Sequence, residues 1–114
     1  SDRKVRAEQL NQILNKVKPV TSGEALIVAG DLNLRWNDPE DRALLENFMT
    51  DLTLKNSLGG IQSEKGWPIL DYILYRNGQT TSLEVLEVGE DLGFKYENGQ
   101  LSDHPALFIR MLIN

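Results

Sequence analysis

Ala25-Leu26-Ile27-Val28-Ala29-Gly30-Asp31-Leu32-Asn33 is an unbroken apolar run that stops at a glycine and passes into an acid and an amide. Its five apolar residues lie between Gly23 and Gly30. That length is too short for a helix and fits a strand apolar on both faces. Such a strand needs packed elements on each side, which points to an α/β architecture. It also delivers Asp31 and Asn33 at its exit.

Upstream, Leu10, Ile13, Leu14 and Val17 recur at helical spacing and Pro19 ends the pattern, predicting a helix from about Asp2 to Lys18. Downstream, Asp38-Pro39-Glu40-Asp41 combines a capping side chain, a proline at the first helical position and acids in the first turn. A second helix carrying Leu44, Leu45 and Phe48 is expected there. Thr50 to Pro68, with Gly59-Gly60 and Gly66, reads as an irregular connection. Ile69 to Tyr75 is β-branched and aromatic, and Asn77-Gly78 is a hairpin signal leading to a strand at Leu83 to Val88. These two strands are expected to pair antiparallel. A second Asn-Gly turn, Asn98-Gly99, precedes Leu101-Ser102-Asp103-His104, after which Ala106-Leu107-Phe108-Ile109 opens a last strand interrupted by Arg110.

The order is helix, strand, helix, then three strands, with no repeat and no low-complexity linker. Two helices on one face do not cover four strands of which at least two are apolar on both sides. An uncovered sheet face would be a larger apolar patch than soluble monomers usually tolerate.

The 114 residues and 40% apolar content fit one globular domain or part of one. No apolar run reaches the roughly 20 residues of a membrane helix, and Ser1-Asp2-Arg3-Lys4 lacks the apolar stretch of a signal peptide. The reading is a soluble segment whose localisation stays open. Zero cysteines exclude disulfides, thiolate metal sites and a cysteine nucleophile. Seventeen acids against twelve bases give a net charge of −5. With no basic run longer than Arg3-Lys4, a broad electrostatic grip on nucleic acid is not expected.

Three short segments carry the candidate chemistry: Gly30-Asp31-Leu32-Asn33, Leu70-Asp71-Tyr72-Ile73 and Ser102-Asp103-His104-Pro105. Each has a bland reading. Asp31 and Asn33 make a polar turn, Asp71 an edge or ion-pair residue, and His104 a loop histidine. Phosphoester hydrolysis needs a hard cation, a carboxylate to orient or deprotonate water, and donors for the developing charge. Asp, Asn and His supply these, and magnesium asks for only one or two carboxylates besides the phosphate.

In order and context the segments resemble the G-D-x-N, L-D-Y-I-L and S-D-H signatures of the endonuclease/exonuclease/phosphatase superfamily, whose deoxyribonuclease I-like fold is a four-layer α/β sandwich. The resemblance implies that residues 1–114 correspond to the C-terminal half of that domain, one sheet and its helices. It implies that Asp31 orients or deprotonates the attacking water and that Asn33 holds the phosphate and leaving group. Asp103 would belong to the metal environment, and His104 would contact the phosphate with Asp71 fixing its ring. The cofactor implied is Mg2+, or Mn2+ in its place, with the principal Glu ligand expected outside the chain.

Leu70–Arg76 and Leu101–Leu107 look most similar to sphingomyelinase-like phosphodiesterases, whereas Gly66-Trp67 is similar to abasic-site endonucleases. Trp67 reads equally as a core or rim aromatic. The substrate expected is a phosphoester, a phospholipid head group or nucleic acid. The expected protein partner is the N-terminal half of the domain, or a second copy docked on the uncovered sheet face. The alternatives are a nuclease of the same superfamily and a non-catalytic interaction module.

Overall fold

The structure, a computed structural model, describes residues 2–57, 70–91, 95–96, 99–100 and 106–114. It is mixed α/β: α1 (Arg3–Val17), β1 (Leu26–Asp31), α2 (Pro39–Leu52), β2 (Lys55–Asn56), β3 (Asp71–Arg76), β4 (Leu83–Asp91), β5 (Lys95–Tyr96), β6 (Gly99–Gln100) and β7 (Ala106–Ile113). α1 begins where the helical spacing predicts and α2 where its Asp38-Pro39 cap predicts. The Asp2 carboxylate accepts from the Val5 N–H at 2.9 Å. The Asp38 carboxylate accepts from Glu40 and Asp41 at 2.9 and 3.1 Å, with Pro39 at the start of α2.

One antiparallel sheet has the order β1-β3-β2. Leu26 faces Arg76, Val28 faces Leu74 and Gly30 faces Tyr72, so this set shares one face. That face is the core side: Leu74 and Tyr72 are buried with Leu10 of α1 and Leu45 and Phe48 of α2. Ile27, Ala29 and Asp31, opposite Tyr75, Ile73 and Asp71, make the other face. Ile27 is 47% exposed, so within the described residues β1 is covered on one side only.

Three expectations are corrected. Among the described residues the strands form the three-stranded sheet, a β4-β7 ribbon and a short β5-β6 pair, where one sheet is expected. The stretch after Thr50 is partly regular, since α2 runs to Leu52 and β2 pairs with β3 at Lys55 and Asn56. Nor do β3 and β4 form a hairpin: β3 pairs with β1 and β2, and β4 with β7. Asn77-Gly78 is used otherwise. The Asn77 Oδ1 accepts from the Leu83 N–H at 2.8 Å, and the Gln79 N–H donates to the Gly23 carbonyl at 2.9 Å. A Cβ on Gly78 would lie 2.4 Å from the Ala25 nitrogen, so glycine here serves the backbone approach of the α1–β1 loop, not a two-residue hairpin. The segment carries the chain from one sheet to the next.

A buried carboxylate joins the two helices. Asp41, 2% exposed, accepts through Oδ1 from Arg3 Nε and Arg6 Nη2, each at 3.1 Å, and through Oδ2 from the Arg35 N–H at 3.0 Å. Burial alone would raise its pKa, but the Arg35 N–H and the two guanidinium groups outweigh it and hold the carboxyl below its ordinary value. Arg3 also reaches Asp38 at 3.5 Å and Glu40.

Because the folded pKa is depressed, this stabilisation is present above the unfolded carboxyl value of about 4 and fades as pH falls through the lower folded value. Asp41→Asn should therefore cost about 3 kcal/mol in urea denaturation at pH 7, since it leaves Arg6 beside an uncharged partner. The gap to the wild type should narrow below about pH 4. Equal stability of the two proteins at pH 7 would contradict the assignment.

Candidate active site at one end of the three-stranded sheet

The end of β1 is shaped by three consecutive demands on the backbone. Gly30 has φ +146°, which side chains other than hydrogen rarely adopt, while a Cβ there would meet nothing within 4 Å. Conformation rather than space therefore requires the glycine. Asp31 then accepts the Asn33 N–H through Oδ1 at 2.8 Å, closing an Asx turn. Asn33 has φ 54°, a left-handed value that Asn tolerates better than most residues. The polar-turn reading of Gly30-Asp31-Leu32-Asn33 is thus correct as local structure. It leaves both Asp31 and Asn33 solvent-exposed.

The β1–β3 register places Asp31 directly opposite Asp71. Opposed residues of an antiparallel pair have Cβ atoms about 5 Å apart on one face, here the open one. Two carboxylates so placed repel, and a cation, an imidazolium or a neutral donor between them relieves the repulsion. Pairing continues past the strands, with the Leu32 N–H donating to the Leu70 carbonyl at 3.1 Å. Segments 40 residues apart in sequence are thereby brought to one edge.

Beneath this edge, the Tyr72 hydroxyl donates to the Leu34 carbonyl. Tyr72 is 1% exposed, and burial first, then the charges of Asp41, Asp31 and Asp71, push its pKa well above the ordinary phenol value. It stays a donor. Neither Tyr72 nor Asp41 was expected in this role. Tyr72 reads as a strand aromatic and Asp41 as a first-turn acid, and no local pattern ties either to residues more than 30 positions away.

Asp103 and His104 lie outside the described residues, as do Trp67 and Asn98. Among the described residues no group of three or more His, Cys, Asp or Glu side chains is gathered for a metal ion. No helix among them is long and apolar enough to cross a membrane. An open concavity of about 460 Å³ lies at the opposite end of β1 and β3, beside Lys18, Glu24, Asp51 and Arg76. There the Arg76 guanidinium donates to the carbonyls of Thr21, Glu24 and Leu52, so it ties loops together.

The chain is 32% identical to sphingomyelinases of Mycobacterium bovis and Mycobacterium tuberculosis, over 86% of its own length and 23% of theirs. It is 29% identical to phospholipase C of Staphylococcus aureus, over 79% of its length and 28% of that protein's. It thus spans about a quarter of the curated relatives that it matches. No family model and no solved structure matches it.

Proposed function

We propose that the chain contributes half of the active site of a phosphodiesterase that hydrolyses a phospholipid, of sphingomyelinase type and C-terminal in its domain. The observation that carries this reading is Asp31 opposite Asp71 on the open face, with Asn33 exposed beside them. The likeness to proteins named sphingomyelinase and phospholipase C supports the substrate class.

In this reading Asp31 takes a proton from the attacking water, whose oxygen forms the new bond to phosphorus as the bond to the lipid alcohol oxygen breaks. Asn33 donates to the phosphate and steadies the leaving oxygen, which takes a proton from solvent water as it departs, and Asp31 returns its proton to solvent. Asp71 accepts a hydrogen bond from the His104 ring and favours its imidazolium, the form suited to a phosphoryl oxyanion. The oxygen-only donors on the open edge suit a hard divalent cation, and Asp103 with a carboxylate from outside the chain would hold Mg2+ or Mn2+ there. Bound there, the cation supplies charge neutralisation at the phosphate. Among the described residues the face of β1 that carries Ile27, Ala29 and Asp31 is exposed, and it is the surface that the other half of such a domain, or a second copy, would cover.

A nuclease of the same chemistry is the second reading, disfavoured by the net charge of −5. With the full-length protein, sphingomyelin vesicles should be hydrolysed in the presence of magnesium and plasmid DNA left intact. Cleavage of DNA alone would overturn the lipid reading, and no turnover of either would leave a binding module.

Within an active protein, Asp71→Asn and His104→Ala should each lower kcat by about 100-fold or more with the circular dichroism spectrum unchanged. Retained turnover would reduce both residues to structural roles.

A further inference from the structure

The Leu34–Arg35 peptide group is gripped on both sides. Its carbonyl accepts from the Tyr72 hydroxyl, and its N–H donates to Asp41 Oδ2 at 3.0 Å. Both gripping side chains are almost fully buried, at 1% and 2% exposure, and Leu34 itself is completely buried. Only Leu34 separates this peptide from Asn33, whose left-handed backbone closes the turn on Asp31. The two grips come from different places. Tyr72 is the neighbour of Asp71 on β3, and Asp41 sits in the first turn of α2, where Arg3 and Arg6 of α1 hold it.

We propose that Tyr72 and Asp41 are positioning residues that act jointly through the Leu34–Arg35 peptide to set the placement of Asn33 against Asp31 and Asp71. An exposed Asx turn has few packing contacts to fix it, so the orientation of the Asn33 side chain depends on the backbone that leads from it through Leu34 to the gripped peptide. A peptide plane held at one end still rotates about its own axis; held at carbonyl and N–H together, it does not. Losing either grip therefore frees the same motion. Through Arg3 and Arg6 this ties the open-edge cluster to α1, which carries none of the candidate site residues.

The proposal rests on the phosphodiesterase reading for its catalytic readout but not for its structural one. In the full-length protein, Tyr72→Phe and Asp41→Asn should each accelerate hydrogen exchange of the Arg35 and Asn33 amides at least tenfold more than that of the Val85 and Val88 amides, which register any loss of global stability. On sphingomyelin vesicles each should lower kcat about 10- to 100-fold with KM within threefold, the range typical of residues that orient functional groups. The double variant should lose no more than threefold beyond the worse single one. Leu52→Ala, a core truncation at the far end of α2, controls for lost stability and should keep wild-type kcat per folded molecule.

Unchanged Arg35 exchange in Tyr72→Phe, or losses that multiply in the double variant, would overturn the proposal. So would a kcat loss no larger than that of Leu52→Ala. Tyr72→Phe, which deletes a single oxygen, keeps the test open should Asp41→Asn not fold. Wild-type turnover in Asp31→Asn and Asp71→Asn would sink the site reading instead, and the exchange data would still decide the grip.

Discussion

The antiparallel register of β1 against β3 is the constraint on which the remaining structure depends. Because side chains alternate along a strand, it sends Val28, Gly30, Leu74 and Tyr72 toward the helices and Asp31 and Asp71 toward the open face. A slip of β3 by one residue would turn its side chains over, burying Asp71 and exposing Tyr72 and Leu74. Burying side chains such as Leu74 and Leu45, each worth about 1.5–3 kcal/mol, resists that slip. The acids are therefore brought together by the packing of the opposite face.

Gly30, the Asx turn and the left-handed Asn33 satisfy the backbone at this sheet end, and the register sets a second carboxylate, Asp71, across from Asp31. A polar turn needs only the Gly30–Asn33 segment. Nothing in the turn calls for a second carboxylate across the strand, and its presence is what favours chemistry over a simple strand ending. The negative net charge of the chain fits a phosphate that is met locally, through donors and a cation, rather than through a basic surface.

Local chemistry was legible in the sequence wherever a short-range rule governs it. The Asp38-Pro39 cap, the Leu10–Val17 stripe ended at Pro19 and the apolar run into Asp31 all lead to elements seen in the structure. The Asn77-Gly78 hairpin did not form, because strand choice is settled by partners far along the chain: β1 for β3 and β7 for β4. Asp41 was invisible as a buried hub for the same reason, since Arg3 and Arg6 lie 38 and 35 positions away. The resemblance of motifs puts Asp31 and Asp71 in one site without pairing them, and the register that sets them opposite each other is a long-range feature that no local pattern announces. Asp103 and His104 fall outside the described residues.

The central claim is that Asp31, Asn33 and Asp71 form one phosphate-processing edge. A crystal structure of the full-length protein with Mn2+ and phosphorylcholine, the manganese located by its anomalous scattering, addresses it most directly. The account predicts the phosphate within hydrogen-bonding distance of Asn33, with the metal at the same edge beside Asp31 and Asp71. Phosphate and metal bound elsewhere, for instance in the concavity beside Lys18 and Asp51, with the Asp31–Asp71 edge empty, would contradict it.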